Sequence, residues 1–399
     1  MTRLDYLANI RLPTEKAHGL QIMQNCEAFA QSGLQVTLWP ARRRNTVAYA
    51  PLTDVWAHYG VQPCFELRRV PCLDLMPLAA GHTAFTHLAF YLQQFTYTLV
   101  LLLRLAFRRA DIYYSRDALT LFALSFIKPR ARLAYEVHML GAGRAGQWLQ
   151  RQVIRRVGTV IPITRKLAED LSARTGRPLD HFHVAHDGIR RGRFLNMPTQ
   201  TEARRTIGWP AHAFIVGYVG RLQTMSSDKG VGTLVEALRQ LGDVALGLVG
   251  GPDDMAAALR QHWLEQGMPA DHFLYAGQVA PEQVPLYLAA LDVCVIPSPW
   301  TPHFAYYTSP MKLFEYMAAR RPIIASDLPS TAEVVRHEQT ALLFPPSDST
   351  ALAAAIQRLR DDPALRTQLA DQAYADVMNH YTWESRARMI LAAIQRNTP

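Results

Sequence analysis

Short apolar runs alternate with longer stretches at helical spacing along most of the chain. LDYLANIRLP, from residue 4, predicts a first strand. TEKAHGLQIMQNCEAFAQSG predicts a loop and then a helix, with Ile22, Cys26, Phe29 and Ala30 on one face and Gly33 ending it. QVTLWPARR predicts a second strand. This β-loop-α-β opening is the entry to a doubly wound α/β domain, in which ligands bind beyond the strand ends. Residues 45–84, with Trp56, Tyr59 and scattered prolines, read as a long excursion. Phe85 to Phe107 is apolar and long enough to span a bilayer. His87, Gln93, Gln94 and Arg104 interrupt it, which predicts a buried or interfacial helix instead. ADIYYSRD, ARLAYEVHML and TVIP predict further strands, and Gln147 to Val157 a basic amphipathic helix.

The same rhythm returns after a polar, proline-bearing segment. Domain boundaries of 1–192 and 208–380 follow, with 193–207 as a linker. FIVGYVG opens the second domain as a strand, and Gly220 starts the loop GRLQTMSSDKG. Val231, Leu234, Val235 and Leu238 then keep helical spacing. VALGLVGG, HFLYAG, VCVIP and PIIAS predict strands, and the chain is helical by pattern from Thr350.

Charge sharpens this picture. Residues 1–190 hold 24 Lys and Arg against 13 Asp and Glu; residues 191–399 hold 18 against 20. A basic first half suits an anionic membrane surface or a phosphate-bearing acceptor. High basicity also fits nucleic acid, but no recognition motif accompanies it, and no nucleic-acid partner is expected. Cys26, Cys64, Cys72 and Cys294 show no metal or disulfide spacing and read as reduced core thiols. The N-terminal apolar run is too short for a signal peptide.

Candidate chemistry concentrates between Ser298 and Pro329. Ser309 and Pro310 read as N-cap and first helical residue. Lys312 then falls in the first turn, where the helix dipole disfavours a cation. An anion on the helix N-terminus would account for it; two solvated charges, Lys312 and Glu315, are the alternative. Arg221 and Lys229 bracket the loop after FIVGYVG and point two cations at one place. Lys16, His18 and Gly19 occupy the first loop beside Glu15, and Gly19 would let a ligand approach the backbone.

The stretch TSPMKLFEYMA, residues 308–318, resembles the donor-site motif of family 4 retaining glycosyltransferases, which have the GT-B fold. That family has two glutamates separated by seven residues. Glu315 matches the second, and Tyr307 stands at the first. EKAHG at 15–19 resembles the first loop of one branch of the family, and YEVH places His138 where the family presents a histidine to the donor sugar. HFHVAHDGI resembles the strand before the domain switch, with His186 in place of a proline. The final segment, about residues 381–399, resembles a helix that packs back on the first domain.

The resemblance implies an α/β protein of two doubly wound Rossmann-like domains facing across a cleft. It implies a retaining transfer of sugar from a UDP- or GDP-sugar to a glycan or lipid-linked acceptor. Arg221 and Lys229 would hold the diphosphate, His138 the sugar, and Glu315 the ribose. Gly277 would let the backbone approach the base, and Ser309, Pro310, Met311 and Lys312 would support phosphate or sugar. No metal is expected: Asp253-Asp254 and Asp361-Asp362 lack the DxD spacing of metal-dependent relatives. The expected location is cytoplasmic, at the inner face of a membrane, in cell-envelope polysaccharide assembly. The basic face of Gln147–Val157 would meet anionic headgroups or simply be solvated. The alternatives are a non-catalytic nucleotide-sugar or glycan binding protein, and a sugar-nucleotide epimerase.

Overall fold

The computed structural model describes residues 1–399 except 15, 47–48, 79–82, 225–226 and 398–399. Contacts divide the chain into two units. One comprises Met1–His186 with Trp383–Pro399, the other Asp187–Thr382.

Among the described residues the first unit has seven strands: β1 Arg3–Ala8, β2 Gln35–Arg42, β3 Glu66–Leu67, β4 Val70–Pro71, β5 Ile112–Ser115, β6 Leu133–Val137 and β7 Thr159–Pro162. Their order is β3-β2-β1-β5-β6-β7, with β4 also on β2, and every pairing is parallel. Strands of a parallel sheet are covered on both faces, so they read as apolar runs rather than alternating ones. β5, β6 and β7 are buried throughout. The chain turns from β1 to β2 on one side and reaches β5 on the other. The switch point therefore lies between β1 and β5, the ordinary ligand position of an open α/β sheet.

The second unit holds β8 Ile215–Val219, β9 Gln223–Thr224, β10 Ser227–Asp228, β11 Ala245–Val249, β12 Phe273–Tyr275, β13 Val293–Ile296, β14 Ile323–Ser326 and β15 Leu342–Phe344. Six form a parallel sheet in the order β12-β11-β8-β13-β14-β15, and β9 and β10 make a small antiparallel pair. Alternate side chains feed two cores. Val216, Tyr218, Leu246 and Leu248 pack on one face, and Ile215, Val219, Ala245 and Val249 on the other. Here the switch point lies between β8 and β13.

Several expectations are corrected. Residues 193–207 carry the Gln200–Ile207 helix, capped by a Thr199–Glu202 capping box, and group with the second unit. Their apolar periodicity is weak because buried Arg204 does part of the packing, paired with Asp292 at 2.6 Å. HFHVAHDGI forms no strand, only isolated bridges from Phe182 to Val160 and from Ile189 to Thr382. Cys26 and Cys294 are buried, but Cys64 is exposed and Cys72 only partly covered. The excursion at 45–84 includes a short helix, Val55–Tyr59, and the edge strands β3 and β4.

Candidate functional site

In the second unit the residues singled out by sequence gather at the C-terminal end of β8. Gly220 leaves that strand at φ +141, a conformation few side chains allow. A Cβ there would lie 3.1 Å from Lys312 Nζ. Gly250, at the matching end of β11, is held as closely. A Cβ would meet the Gly220 carbonyl oxygen at 2.2 Å, and its N–H donates to the Gly277 carbonyl at 2.6 Å. Three adjacent strand ends are thus capped by glycine. Gly277 sits at φ +64 with open space where its Cβ would be.

The loop from Gly220 returns through β9 and β10 to Lys229, whose N–H donates to the Leu222 carbonyl at 2.9 Å. Gly230 then starts the Val231–Leu241 helix so close to β13 that a Cβ would fall 1.9 Å from the Pro297 carbonyl oxygen. That contact fixes where Lys229 points. Its Nζ lies 4.7 Å from the centroid of the Phe304 ring. Burial, and next the neighbouring Arg221, push its pKa down to about 8. Arg221 itself is exposed. Among the described residues no carboxylate pairs with Lys229.

The Met311–Ala318 helix begins one residue later than expected, and Pro310 is its N-cap. Ser309 does not cap it; its Oγ accepts the Asp187 N–H at 2.9 Å. Tyr316 docks the helix on β8, accepting the Val219 N–H at 2.7 Å and donating to its carbonyl at 3.0 Å. Lys312 is then in the first turn, as its position in sequence requires. It is not a solvated charge. Its Nζ lies 3.8 Å from the Tyr218 ring centroid and donates to the Tyr218 hydroxyl. Burial, then Lys229, hold its pKa well below the lysine range, and Glu315 opposes that. Glu315 is raised by burial, partly offset by Arg193 and Lys312. Arg193 Nη1 is 3.7 Å from Glu315 Oε1. Arg193 came from the expected linker, so pattern alone gave no reason to pair it with Glu315. Tyr307 ends the short Pro302–Tyr306 helix that carries Phe304.

In the first unit the loop after β1 enters the Ala17–Gln31 helix. Glu15 lies outside the described residues. Lys16 is exposed at the N-cap position, and His18 is partly covered. Gly19 is buried, and its openness serves packing rather than ligand approach. A Cβ would meet Thr14 Cγ2 and Tyr59 Oη, each at 2.5 Å.

His138 follows β6 directly and bonds through Nε2 to Glu136. Burial, with Arg116 nearby, pushes its pKa down to about 4, so it is a neutral imidazole near pH 7. Residue pattern alone does not single out Glu136, the partner of His138. It is 1% exposed, and Tyr114, Asn25, Arg116, His138 and Arg386 all converge on it. Burial alone would raise its carboxyl; Arg386, His138 and Arg116 together hold it well below the usual range. Strand alternation places Glu136 on the face opposite its neighbours, but only the fold brings Arg386 to it.

Residues 213–362, most of the second unit, match the family Glycosyl transferases group 1. The chain has the GT-B fold: solved GT-B glycosyltransferases align with 98 to 99% of it. Among solved structures, Anabaena HepE in complex with UDP is 18% identical, with a TM-score of 0.71 over 99% of this chain and 100% of that one. The chain is 24% identical over 295 residues to an uncharacterized glycosyltransferase, MJ1607, of Methanocaldococcus jannaschii, covering 70% of this chain and 73% of that protein. It is 36% identical over 176 residues to the lipopolysaccharide core biosynthesis glycosyltransferase LpsD of Rhizobium meliloti. That match covers 43% of this chain and spans under half of the relative, 47%.

Proposed function

We propose that this chain is a retaining, metal-independent glycosyltransferase that moves a sugar from a UDP- or GDP-sugar to a glycan or lipid-linked acceptor. One observation carries the reading. Arg221, Lys229 and Lys312 converge around Gly220 at the switch point of the unit that matches the group 1 family. Lys229 and Lys312 are held away from water without enough carboxylate to neutralise them, with exposed Arg221 beside them, and such a set of cations favours a multiply charged anion.

In this reading Arg221 and Lys229 neutralise the diphosphate as the bond from the anomeric carbon to phosphate oxygen breaks. The acceptor oxygen bonds to that carbon from the same face, and its proton passes to the departing phosphate oxygen. No protein nucleophile is required. Glu315 accepts hydrogen bonds from the ribose hydroxyls, and Arg193 holds its carboxylate in place. Neutral His138 orients the sugar by donating or accepting a hydrogen bond. The loop at Glu15, Lys16 and His18 serves the acceptor. The LpsD name, with its lipopolysaccharide core biosynthesis, supports a place in envelope polysaccharide assembly.

Titration calorimetry with UDP, GDP and ADP, each with and without magnesium, tests the reading. One nucleotide should bind without metal, and its sugar conjugate should then give a product of unchanged anomeric configuration. Failure of all three to bind folded protein would overturn it. Binding without turnover on any acceptor would instead favour a binding module, the reading that Tyr307 at the first glutamate position supports.

A further inference from the structure

The Thr83–Ala106 helix has one face that the first unit leaves bare. Ala89, Gln93, Tyr97, Leu101 and Leu105, four residues apart, are buried. The Tyr97 hydroxyl donates to the Trp39 carbonyl at 2.8 Å, and the Gln93 amide donates to Asn9 at 2.8 Å. On the other side Leu88, Tyr91, Phe95, Leu99 and Leu103 recur every three or four residues and are 45 to 67% exposed. From Phe85 to Leu103 there is no Asp, Glu, Lys or Arg. A helix that faces water carries charge on its outer side; this one carries a continuous apolar stripe. Its length and hydropathy would suit a membrane span, but the bonds from its buried face tie it to the sheet.

The stripe ends in a basic rim. Arg68, Arg104 and Arg108 line a shallow pocket with Trp39 and Phe107, whose ring is 95% exposed. Arg69 and Arg109 are exposed beside them in sequence. Against these arginines stand two carboxylates, Asp5 at 3.1 Å from Arg108 and Glu66 at 2.6 Å from Arg68. The apolar surface continues onto neighbouring helices. The Ala118–Leu124 helix packs on this one and on Gly143–Arg156, and Phe126 and Trp148 are 65% and 56% exposed there. Arg156 lies 4.9 Å from the Phe126 ring centroid.

We infer that this face docks on an anionic lipid bilayer. The Thr83–Ala106 helix lies in the membrane plane, its apolar stripe at the acyl boundary and its arginines at lipid phosphates. The surface differs from the one the sequence suggested. The basic Gly143–Arg156 helix is a flank, and the Thr83–Ala106 helix, uncharged from Phe85 to Leu103, is the centre. Charge selects a bilayer over a second copy of the chain. No Asp or Glu occurs from Leu75 to Ala110, and the two carboxylates at the rim, Asp5 and Glu66, are already paired with Arg108 and Arg68, so a second copy brings no further carboxylate from the helix to meet the remaining arginines. The inference rests on this surface and not on the proposed reaction.

Flotation of the full chain with phosphatidylcholine vesicles, with and without phosphatidylglycerol, tests it. The protein should float with the anionic vesicles and much less with the neutral ones. Phe95→Glu with Leu103→Glu should cut partitioning more than about tenfold. Both side chains are exposed, so circular dichroism should be unchanged. Arg68→Ala with Arg104→Ala should cost roughly fivefold per arginine, on anionic vesicles only. Wild-type protein that floats with neither vesicle, or a double-glutamate variant that floats like wild type, overturns the inference. A dimer in sedimentation equilibrium that Leu103→Glu dissociates, without vesicle binding, also overturns it and assigns the face to a second copy.

Discussion

Glu136 on β6 and Arg386 on the Trp383–Arg396 helix form an ion pair at 3.2 Å, with both side chains almost wholly buried. Arg386 also donates to the His186 carbonyl at 3.0 Å. A buried pair adds little net stability, but losing one partner strands the other. Arg386→Ala is therefore expected to destabilise the first unit by about 3–5 kcal/mol, measured by urea unfolding. The pH dependence has a definite sign. The Glu136 carboxyl is depressed in the folded state. The stability it contributes is present above its unfolded value of about 4.3 and is lost as pH falls through the folded value. Glu136→Gln should weaken that acid sensitivity.

Lys229 is expected to carry much of the diphosphate affinity. Lys229→Ala should weaken nucleoside diphosphate binding by about tenfold to a hundredfold, the range for a hydrogen bond to a charged group. Calorimetry reads the loss directly. Unchanged affinity would remove Lys229 from the site.

The same lysine predicts a pH profile. Its pKa, pushed down to about 8 by burial and by Arg221, would rise when a diphosphate binds. Binding should take up a proton above about pH 8, and affinity should fall as pH rises past that point. Titrations in buffers of different ionisation enthalpy measure the uptake. Lys229→Arg should abolish it, because a guanidinium stays charged throughout.

Glu315 and Arg193 should act as a pair on the ribose. Glu315→Ala should narrow the affinity gap between a ribonucleotide and its 3′-deoxy analogue. Arg193→Ala should do so more weakly, since its guanidinium is 3.7 Å from the Glu315 carboxylate and orients rather than contacts the sugar. Equal loss for both nucleotides in the Glu315 variant would place the residue elsewhere.

Much of the architecture was determined by sequence alone. The apolar runs at β1, β2, β5 to β8, β11, β13 and β14 are strongly patterned because parallel strands are buried on both faces. Loops with an unusual residue, such as Lys312 in a first turn, marked the second-unit site for the same local reason. Tertiary structure decided the partners. Arg193, Tyr218 and Phe304 stand far in sequence from Glu315, Lys312 and Lys229 or carry no polar signal, so periodicity does not couple them. Glu136 belongs to a legible strand, yet most of the groups that converge on it come from three other segments. Gly19 reverses its meaning in the fold, since the space beside it is taken by Thr14 and Tyr59. The Thr83–Ala106 helix shows the division most plainly. Its apolar content was plain from the residues, but which half is buried depends on the sheet it packs against, and that exists only once the chain has folded.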